Sequence, residues 1–251
     1  MKRIYNSIVL FSLYLFLPIG LLAQELVEER KIDWFFAAGL NLGAVAPVPF
    51  PSSQLKITSV SFHVDPQIGA NAIYNINDKW GVGLGLTLDW KGMHVNTKVD
   101  NVHSTITLPN GVPLTGYIKG RSKTKVNSLY LTQPLYGTYR FNDKWRIKLG
   151  GYLAETLSRS FHGTVHDVLI SISGPITEEK HVEYATYDFS KHVRKLEIGL
   201  ITGGEFRLTN VVGFYADFSW ALTPYFEGAN PLSFTSRNLY GTLGVTYRLK
   251  K

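Results

Sequence analysis

Three features of the sequence predict an all-β fold, namely an eight-stranded antiparallel up-and-down barrel that crosses a membrane. Apolar and polar side chains alternate with a period of two in eight separate stretches, which is typical of strands with two unlike faces. Short turns alternate with long connections along the chain. Several apolar faces begin or end on tryptophan, as in the aromatic girdles of membrane barrels.

The stretch from Trp80 to Met93 shows the alternation most clearly. Large apolar residues fill the even positions from Trp80 to Trp90, and glycine, threonine, aspartate or lysine fills the odd ones. Ten residues at ~3.3 Å each, tilted by roughly 40°, span about 25 Å along a barrel axis, the height of a lipid-facing band. We therefore predict lipid on the even side of this strand and the barrel interior on the odd side.

The N-terminal residues 1–23 are predicted to be a secretory signal peptide. Two basic residues precede an apolar run, Ile8–Leu17, and Ala23 marks the expected cleavage site. A single-pass anchor is the alternative, but the run is shorter than the ~20 residues that a spanning helix needs. Two segments are predicted to follow: a polar periplasmic tail, 24–33, and the barrel domain, 34–251.

Composition narrows the possible function classes. The chain has no cysteine, which excludes disulfides, a lipidated cysteine anchor and thiol chemistry. Beyond the leader, no stretch is long and apolar enough for a transmembrane helix, which excludes a helical membrane protein but not a barrel. The formal net charge is +7, or about +5 once Lys2 and Arg3 are removed with the leader. A basic balance can indicate nucleic acid, but behind a signal peptide we expect anionic lipid headgroups or lipopolysaccharide phosphates.

Eight predicted strands follow one another along the chain. Eight is an even number, and a closed barrel of eight strands leaves no exposed edge. In each strand the apolar residues share one face, as from Trp34 to Leu42 in the first. The predicted strands cover approximately 34–43, 63–76, 80–93, 127–141, 145–159, 194–208, 212–222 and 239–249.

The connections between these strands are alternately short and long. The short turns are Asn77–Lys79, Asn142–Lys144 and Thr209–Val211. The long connections are 44–62, 95–126, 160–193 and 225–236. Outer-membrane barrels have short periplasmic turns and long extracellular loops, so we predict the same orientation here. The hairpin signals Asn110-Gly111 and Gly174-Pro175 predict ribbons that extend the barrel above the membrane.

Three segments carry motifs of a known family. Pro134 interrupts the strand within Tyr130–Phe141, Gly151-Tyr152 opens the next strand within Lys148–Ala154, and Gly199–Leu208 has a similar glycine-rich pattern. In these motifs the chain resembles PorT-type outer-membrane β-barrel proteins, within the OmpA-like eight-stranded superfamily. The resemblance covers the mature chain loosely and its motifs are structural. It implies an eight-stranded barrel in a Gram-negative outer membrane.

Charged residues are predicted to face the barrel interior. An eight-stranded barrel is only wide enough for side chains to fill, and buried charges need partners, so five acids and six bases there predict an ion-paired plug. A narrow conducting pathway is the alternative. The inward charges are Asp65, Asp89, Glu197, Glu205, Asp217, Lys91, Arg140, Arg146, Lys148, Arg207 and Arg248.

Two groups of residues are predicted to contact the membrane. The aromatic girdle consists of Trp34, Trp80, Trp90, Trp145 and Trp220. The second long connection carries a basic cluster just before the fourth strand enters the membrane, at Lys119, Arg121, Lys123 and Lys125. We expect this cluster to bind lipopolysaccharide phosphates through charge-assisted hydrogen bonds. A solvated base of the hairpin is the alternative interpretation.

We predict no metal, cofactor or catalytic site. On an extended strand His162 and His166 lie ~13 Å apart, too far to bind one metal ion. His103-Ser104 and Ser160-Phe161-His162 provide residue types found in hydrolases, but their spacing matches no hydrolase motif. Adjacent strand residues also point to opposite faces, which separates His103 from Ser104.

The sequence therefore predicts a monomeric barrel in the Gram-negative outer membrane with a structural, binding or assembly role and no catalytic activity. The first alternative is a narrow channel for ions or small solutes, and the second is an enzyme that modifies lipid A. The expected partners are outer-membrane lipid and lipopolysaccharide, the barrel-insertion machinery, and an envelope protein bound through the extracellular loops. Nucleic acid is not an expected partner.

Overall fold

A computed structural model describes residues 32–61, 63–171, 180–228 and 231–249. The predicted signal peptide, most of the predicted tail and the dipeptide Gly174-Pro175 lie outside these residues. No helix in the part of the chain that the structure describes is long and apolar enough to span a membrane. Within these described ranges, ten strands form one antiparallel sheet, and a 3-10 turn covers Ser190–His192.

The strands have the following bounds in chain order. They are β1 (Ile32–Pro47), β2 (Leu55–Ser61), β3 (Asp65–Asn75), β4 (Trp80–Thr107), β5 (Pro113–Arg140), β6 (Trp145–Ser171), β7 (Lys180–Asp188), β8 (Leu196–Arg207), β9 (Val212–Ala221) and β10 (Ser236–Arg248).

Eight of these strands close into a barrel, which confirms the predicted fold class. The ring runs β1, β3, β4, β5, β6, β8, β9 and β10, and β10 pairs with β1 from Phe35↔Arg248 to Pro47↔Ser236. Because the ring is closed, every strand in it has a hydrogen-bonding neighbour on both sides. Hydrocarbon satisfies no backbone polar group, so this closure allows strands to cross a membrane.

The outward face of the ring is a continuous apolar band. Leu149 is 68% exposed, and large apolar side chains from all eight strands are exposed beside it. Water would disfavour so large an apolar surface, whereas hydrocarbon matches it. The band includes Phe36, Leu40, Ile68, Leu86, Leu135, Leu149, Ile198, Leu200, Phe214, Phe218, Leu243 and Val245.

The short turns are closed by side chains at their first position. The Asn77 side-chain oxygen accepts hydrogen bonds from the backbone N–H groups of Lys79 and Trp80, at 2.9 and 2.8 Å. Asn142 accepts two such bonds in the second copy of the Asn-Asp-Lys-Trp sequence. Side-chain acceptors of this kind replace backbone hydrogen bonds in a turn. The repeat therefore reflects a shared turn structure at the periplasmic end.

Three strands continue far beyond the membrane. β4, β5 and β6 contain 28, 28 and 27 residues, so the predicted ends of these strands near Met93, Asn127 and Arg159 are wrong. The predicted ribbons form the upper halves of these strands. The turn at their tip contains Asn110 and Gly111, and Gly111 has a φ of +82°.

These upper halves form a second structure, which we call the extension: 93–107, 113–126 and 161–171, together with β2 and β7. β2 pairs with the outer part of β4, and β7 pairs with β6 and meets β4 at Thr107↔Thr186. The interior of the extension is apolar. The buried core that it forms with β1 and with residues 189–226 consists of Val45, Met93, Ile106, Ile118, Val126, Phe161, Val165, Val168, Ile170, Ala185, Tyr187, Phe189, Val193, Tyr225 and Phe226.

Candidate functional site

The lower, periplasmic layer of the barrel lumen is organised by Asp33, which is 7% exposed. Arg248 donates a hydrogen bond to its Oδ1. The Nη2 atoms of Arg146 and Arg140 lie 3.7 and 3.9 Å from its Oδ2, and Asn75 donates to that oxygen at 3.0 Å. One carboxylate thus offsets part of the mutual repulsion among three arginines, which would otherwise oppose barrel closure.

Asp33 falls in the predicted periplasmic tail, 24–33, and was therefore absent from the predicted inward charges. β1 begins at Ile32, so Asp33 occupies an inward position opposite the outward Trp34. The alternation in the sequence does include this residue, because Asp33 and Phe35 continue the inward register of the first strand. Adding Asp33 to the predicted inward charges makes acids and bases equal in number.

The middle layer of the lumen contains two sets of hydrogen-bonded polar side chains. Lys148 Nζ donates to Asp217 Oδ2 at 2.7 Å. Tyr215 donates to Gln67 at 2.7 Å, and Gln67 in turn donates to Asp89. Lys148 also lies 5.7 Å from the centroid of the Tyr215 ring, within the range of a cation–π interaction. The layer therefore connects β3, β4, β6 and β9 through side chains.

Lys91 occupies the upper layer and is 4% exposed. Its Nζ lies 3.8 Å from Glu197 Oε1. The centroids of the Tyr130, Tyr152 and Tyr240 rings lie 5.0, 5.5 and 5.4 Å from the same Nζ. A carboxylate and three aromatic faces thus surround one ammonium group. Desolvation strengthens such interactions, and the loss of either charge would leave the other buried without its ion-pair partner.

The remaining predicted inward charges have different surroundings. Glu205 lies 3.6 Å from Arg146 and accepts a hydrogen bond from Thr246. Asp65 accepts from the backbone N–H of Gly92 rather than from a base. Arg207 has no carboxylate within 4.0 Å among the described residues. The lumen cavity between the layers measures about 80 Å³, room for a few water molecules.

The second candidate site is an apolar cavity inside the extension, which we call the chamber. Its volume is about 180 Å³, and no charged residue contributes to its lining. Main lining residues are Val45, Phe50, Ile57, Met93, Val95, Ile106, Ile118, Phe161, Val165, Phe189 and Phe234. Below it, Tyr240 donates to the carbonyl of Gly92 and Asn238 donates to Tyr130. These polar contacts separate the chamber from the lumen.

The wall of the chamber lacks strand pairing on one side. β3 starts at Asp65, so the pairing of β1 with β3 ends at Asn41↔Asp65. Above that level, within the described ranges, the free side of β1 faces the free side of β2, and no backbone ladder joins them. Both edges line the chamber. We call this opening the lateral gap. Trp90, whose carbonyl accepts a hydrogen bond from Asn41, lies at its lower end.

Histidines gather on the outer surface near the lower end of the lateral gap. His63 Nε2 and His94 Nδ1 are 3.0 Å apart, and Lys125 is the cross-strand neighbour of both His94 and His162. Partial burial, together with the nearby His63 and Lys125, lowers the pKa of His94. In the described part of the chain, no group of three or more His, Asp or Glu residues is arranged to hold a metal ion.

The two serine–histidine segments differ in geometry. Ser104 points inward and donates to the Pro231 carbonyl at 2.8 Å, away from His103. Ser160 Oγ and His162 Nδ1 lie 2.9 Å apart on the outer surface. Asp188 is the cross-strand neighbour of His162, but its carboxylate accepts a hydrogen bond from the Ser190 N–H. The described residues thus give His162 no hydrogen-bonded carboxylate of the kind that orients a catalytic base.

The predicted basic cluster divides into two pairs. Lys119 lies 3.7 Å from Asp100, and Arg121 forms an ion pair with Asp167. Lys123 and Lys125 have no carboxylate within 4.0 Å in the described ranges. All four side chains lie on the outer surface of the extension or at its edge.

The predicted girdle tryptophans lie at two levels of the barrel. Trp80 packs on Tyr139 with ring centroids 4.8 Å apart, and Trp145 packs on Phe206 at 4.9 Å, both beside the short turns. Trp34 pairs with Ala72 at the same end. Trp90 and Trp220 lie toward the extension, at the other end of the apolar band.

Comparisons with known proteins give one matching protein family and several weakly similar solved structures. Residues 22–227 match a family described as "Outer membrane protein beta-barrel domain". No curated protein sequence matches the chain significantly. The weakly similar solved structures include Ail of Yersinia pestis, with 12% identity, coverage of 87% of this chain and 97% of that chain, and a TM-score of 0.33. OprG of Pseudomonas aeruginosa has 13% identity, coverage of 87% and 96%, and a TM-score of 0.38. The chain belongs to the outer membrane protein beta-barrel domain family and is a protein of the Gram-negative outer membrane.

Proposed function

We propose that this protein is a non-catalytic, non-conducting outer-membrane barrel that holds its extension above the lipid as a binding or structural module. The main observation behind this proposal is the ion-paired lumen. Side chains of the lower, middle and upper layers cross the lumen, and the cavity between them is only about 80 Å³. Conduction needs a continuous water-filled path, which such a packed lumen does not offer. The narrower resemblance to PorT-type barrels, through Pro134 and Gly151-Tyr152, is consistent with a role of this kind.

Single-channel recording in planar bilayers tests the proposal. We expect purified wild-type protein to give no stepwise conductance above the bare bilayer. The triple variant Lys91→Ala/Tyr130→Ala/Tyr240→Ala removes most of the upper layer and measures whether the lower and middle layers close the lumen on their own. An outward variant, Leu200→Ala, controls for handling and insertion. Regular conductance steps from the wild type would overturn the proposal in favour of a channel.

We further propose that lipopolysaccharide phosphates bind Lys123 and Lys125. These two cations are not neutralised by a neighbouring carboxylate among the described residues, whereas Lys119 and Arg121 are paired. Lys125 lies closest to the membrane of the four, beside His94 and above Trp90. A phosphate at this level would supply the missing negative charge.

Thermal unfolding in two kinds of vesicle tests this contact. We expect lipopolysaccharide to raise the unfolding temperature of the wild type relative to phosphatidylcholine, and Lys123→Gln/Lys125→Gln to lose most of that increase. The matched control, Lys119→Gln/Arg121→Gln, removes the same number of charges and should keep it. Equal losses in both double variants would argue against a specific contact.

The absence of catalysis is also a proposal with a direct test. Ser160 and His162 are in contact, but His162 has no hydrogen-bonded orienting group among the described residues. We expect mass spectrometry of lipid A to show no difference between cells that contain the protein and cells that lack it. A modification lost on Ser160→Ala would reverse this conclusion.

The insertion machinery and an envelope protein that contacts the extension stay proposed partners, and crosslinking through the extension would identify the latter.

A further inference from the structure

We infer that the chamber is a binding site for a small, uncharged hydrophobic molecule of about six to eight carbon atoms, which reaches it from the outer leaflet through the lateral gap. This inference gives a ligand class to the binding role proposed above. It depends on the lining of the chamber, on its volume and on the position of the gap, and each of these is a separate observation.

The lining selects against charge and against strong hydrogen-bonding groups. No charged side chain lines the chamber. The Tyr187 hydroxyl is within hydrogen-bonding distance of Ser122 Oγ and Thr124 Oγ1, at 2.9 and 2.6 Å, so these polar groups satisfy one another. Ser104 is likewise occupied by the Pro231 carbonyl. A carboxylate or ammonium group placed here would lose its hydration without gaining a partner, at a cost of several kcal/mol.

The volume sets the size of the ligand. The chamber measures about 180 Å³. An apolar cavity of about 150 Å³ in another protein stays dry and binds benzene, because water finds no hydrogen-bonding partners there. A hydrocarbon of similar size restores the dispersion contacts that the cavity walls otherwise lack. One aromatic ring with a small substituent, or a short alkyl chain, therefore fits this chamber, whereas a full lipid acyl chain does not.

The lateral gap determines the route of access. Phe50, Ile57 and Val60 line the chamber and are also 46%, 45% and 38% exposed, so they form an apolar mouth. The gap opens above Asn41↔Asp65, at the level of the outer-leaflet tryptophan Trp90. Hydrophobic molecules concentrate in the hydrocarbon of the membrane. An apolar mouth that begins at its outer boundary and continues just above it, where Val60 pairs with Val95, would shorten their path through water.

The floor makes the chamber a binding site rather than a passage. Tyr225 and Tyr240 are almost completely buried beneath it, 2% and 1% exposed. The Tyr225 hydroxyl lies 3.4 Å from Ser128 Oγ, and the Tyr240 hydroxyl donates a hydrogen bond to the Gly92 carbonyl. A ligand in the chamber thus meets a closed aromatic layer below and the ion-paired upper layer beyond it.

Fluorine NMR with the protein in lipid nanodiscs tests the inference, with 4-fluorotoluene as the neutral probe and 4-fluorobenzoate as its charged counterpart. We expect saturable binding of 4-fluorotoluene above its partition into empty nanodiscs. The benzoate should bind at least about a hundredfold more weakly, which corresponds to roughly 2.7 kcal/mol. Saturable binding that is equal for both probes would contradict the uncharged lining as the basis of selection.

Two substitutions at Val165, which lines the chamber, test whether the probe binds there. Val165→Phe fills part of the chamber and should weaken 4-fluorotoluene binding about tenfold or more. Thr164→Phe, on the outer face of the same strand, should change it less than about twofold. Val165→Ala enlarges the chamber and should shift preference toward a longer probe, 1-fluorohexane, so the test stands even if Val165→Phe does not fold.

Two further results overturn the inference. One is the absence of saturable binding to the wild type, and the other is binding that neither substitution at Val165 alters. Neither result bears on conduction, which the bilayer recordings measure separately. Failure of this inference and failure of the proposed non-conducting barrel are therefore distinguishable.

Discussion

The barrel and the extension are built from the same strands but have opposite polarity. Along β4 the inward side chains change from Asp89 and Lys91 in the barrel to Met93 and Val95 in the extension. The outward side chains change from Trp90 to His94 over the same distance. The backbone keeps its alternation through this change, so only the chemistry of the two faces is exchanged.

The exchange shows that the surrounding medium, not the strand, determines which face is apolar. In the membrane the outer face meets hydrocarbon, and polar residues are placed inside, where they pair. Above the membrane the outer face meets water, and the apolar residues gather inside as in an ordinary soluble β protein. The boundary at Lys91 and Met93 therefore marks the outer surface of the bilayer on β4.

Removing the charge of Lys91 should have the largest effect on stability. Lys91→Met leaves Glu197 buried without its cation, and loss of one partner of a buried pair costs about 3–5 kcal/mol. We expect urea unfolding in phospholipid vesicles, followed by tryptophan fluorescence, to show a loss of that size. The double variant Lys91→Met/Glu197→Gln should recover most of it. A double variant as unstable as the single one would mean that the ion pair is not the source of the loss.

The second largest effect on stability is expected from a positive charge on the outer face. Such a charge should destabilise the barrel but not the extension. Leu149→Arg places an arginine in the lipid-facing band near mid-membrane and should cost about 2–4 kcal/mol in the same unfolding assay. Thr164→Arg places the same residue on the outer face of the same strand, but in the extension, where water solvates it. We expect this control to change stability by less than about 0.5 kcal/mol. Equal costs at both positions would contradict the boundary drawn between the regions.

The sequence was sufficient to predict the barrel because lipid imposes a strict pattern on it. Every outward position between Trp80 and Trp90 must be apolar, so the period of two is uninterrupted. The lumen was predictable in kind, since inward charges must pair, but not in detail. Asp33 was missed because a polar neighbourhood resembled a tail, and the aromatic surroundings of Lys91 depend on tyrosines from three different strands.

The apolar chamber was not predicted because the alternation breaks in the extension. The pairing of β4 with β5 shifts register between Val99 and Val102, where Asn101 has a φ of +57°. A bulge of this kind exchanges the faces of all residues beyond it. The inward series therefore moves from odd positions ending at Val99 to even positions beginning at Val102. Asp167, with a φ of +52°, lies at a similar irregularity in β6.

Deleting one methylene group should have a smaller effect on stability. We expect that effect in the apolar core of the extension but not on the lipid-facing band of the barrel. Ile106→Val, in the core of the extension, should lower the free energy of opening of the extension by about 0.5–1.5 kcal/mol. Hydrogen exchange of the upper amides of β4 and β5 measures this opening. Ile198→Val, on the lipid face, should change barrel stability very little, because lipid fills the space left by the missing group. A larger effect at Ile198 than at Ile106 would contradict this contrast.

The smallest expected effect is a dependence of the extension on acidic pH. Hydrogen bonds from the side chain and backbone of Ser190 lower the pKa of Asp188 below its ordinary value of 3.8. A lowered pKa means that the charged form stabilises the fold, so the contribution is complete above about pH 4 and is lost as the pH falls through the lowered value. Ser190 Oγ also accepts a hydrogen bond from the backbone N–H of Phe161, which lines the chamber. We therefore expect the protection factors of the Phe161 and Ser190 amides, which compare each exchange rate with the intrinsic rate at the same pH, to fall modestly below about pH 4, and Asp188→Asn to abolish most of that pH dependence. The same fall in Asp188→Asn would mean that another group is responsible.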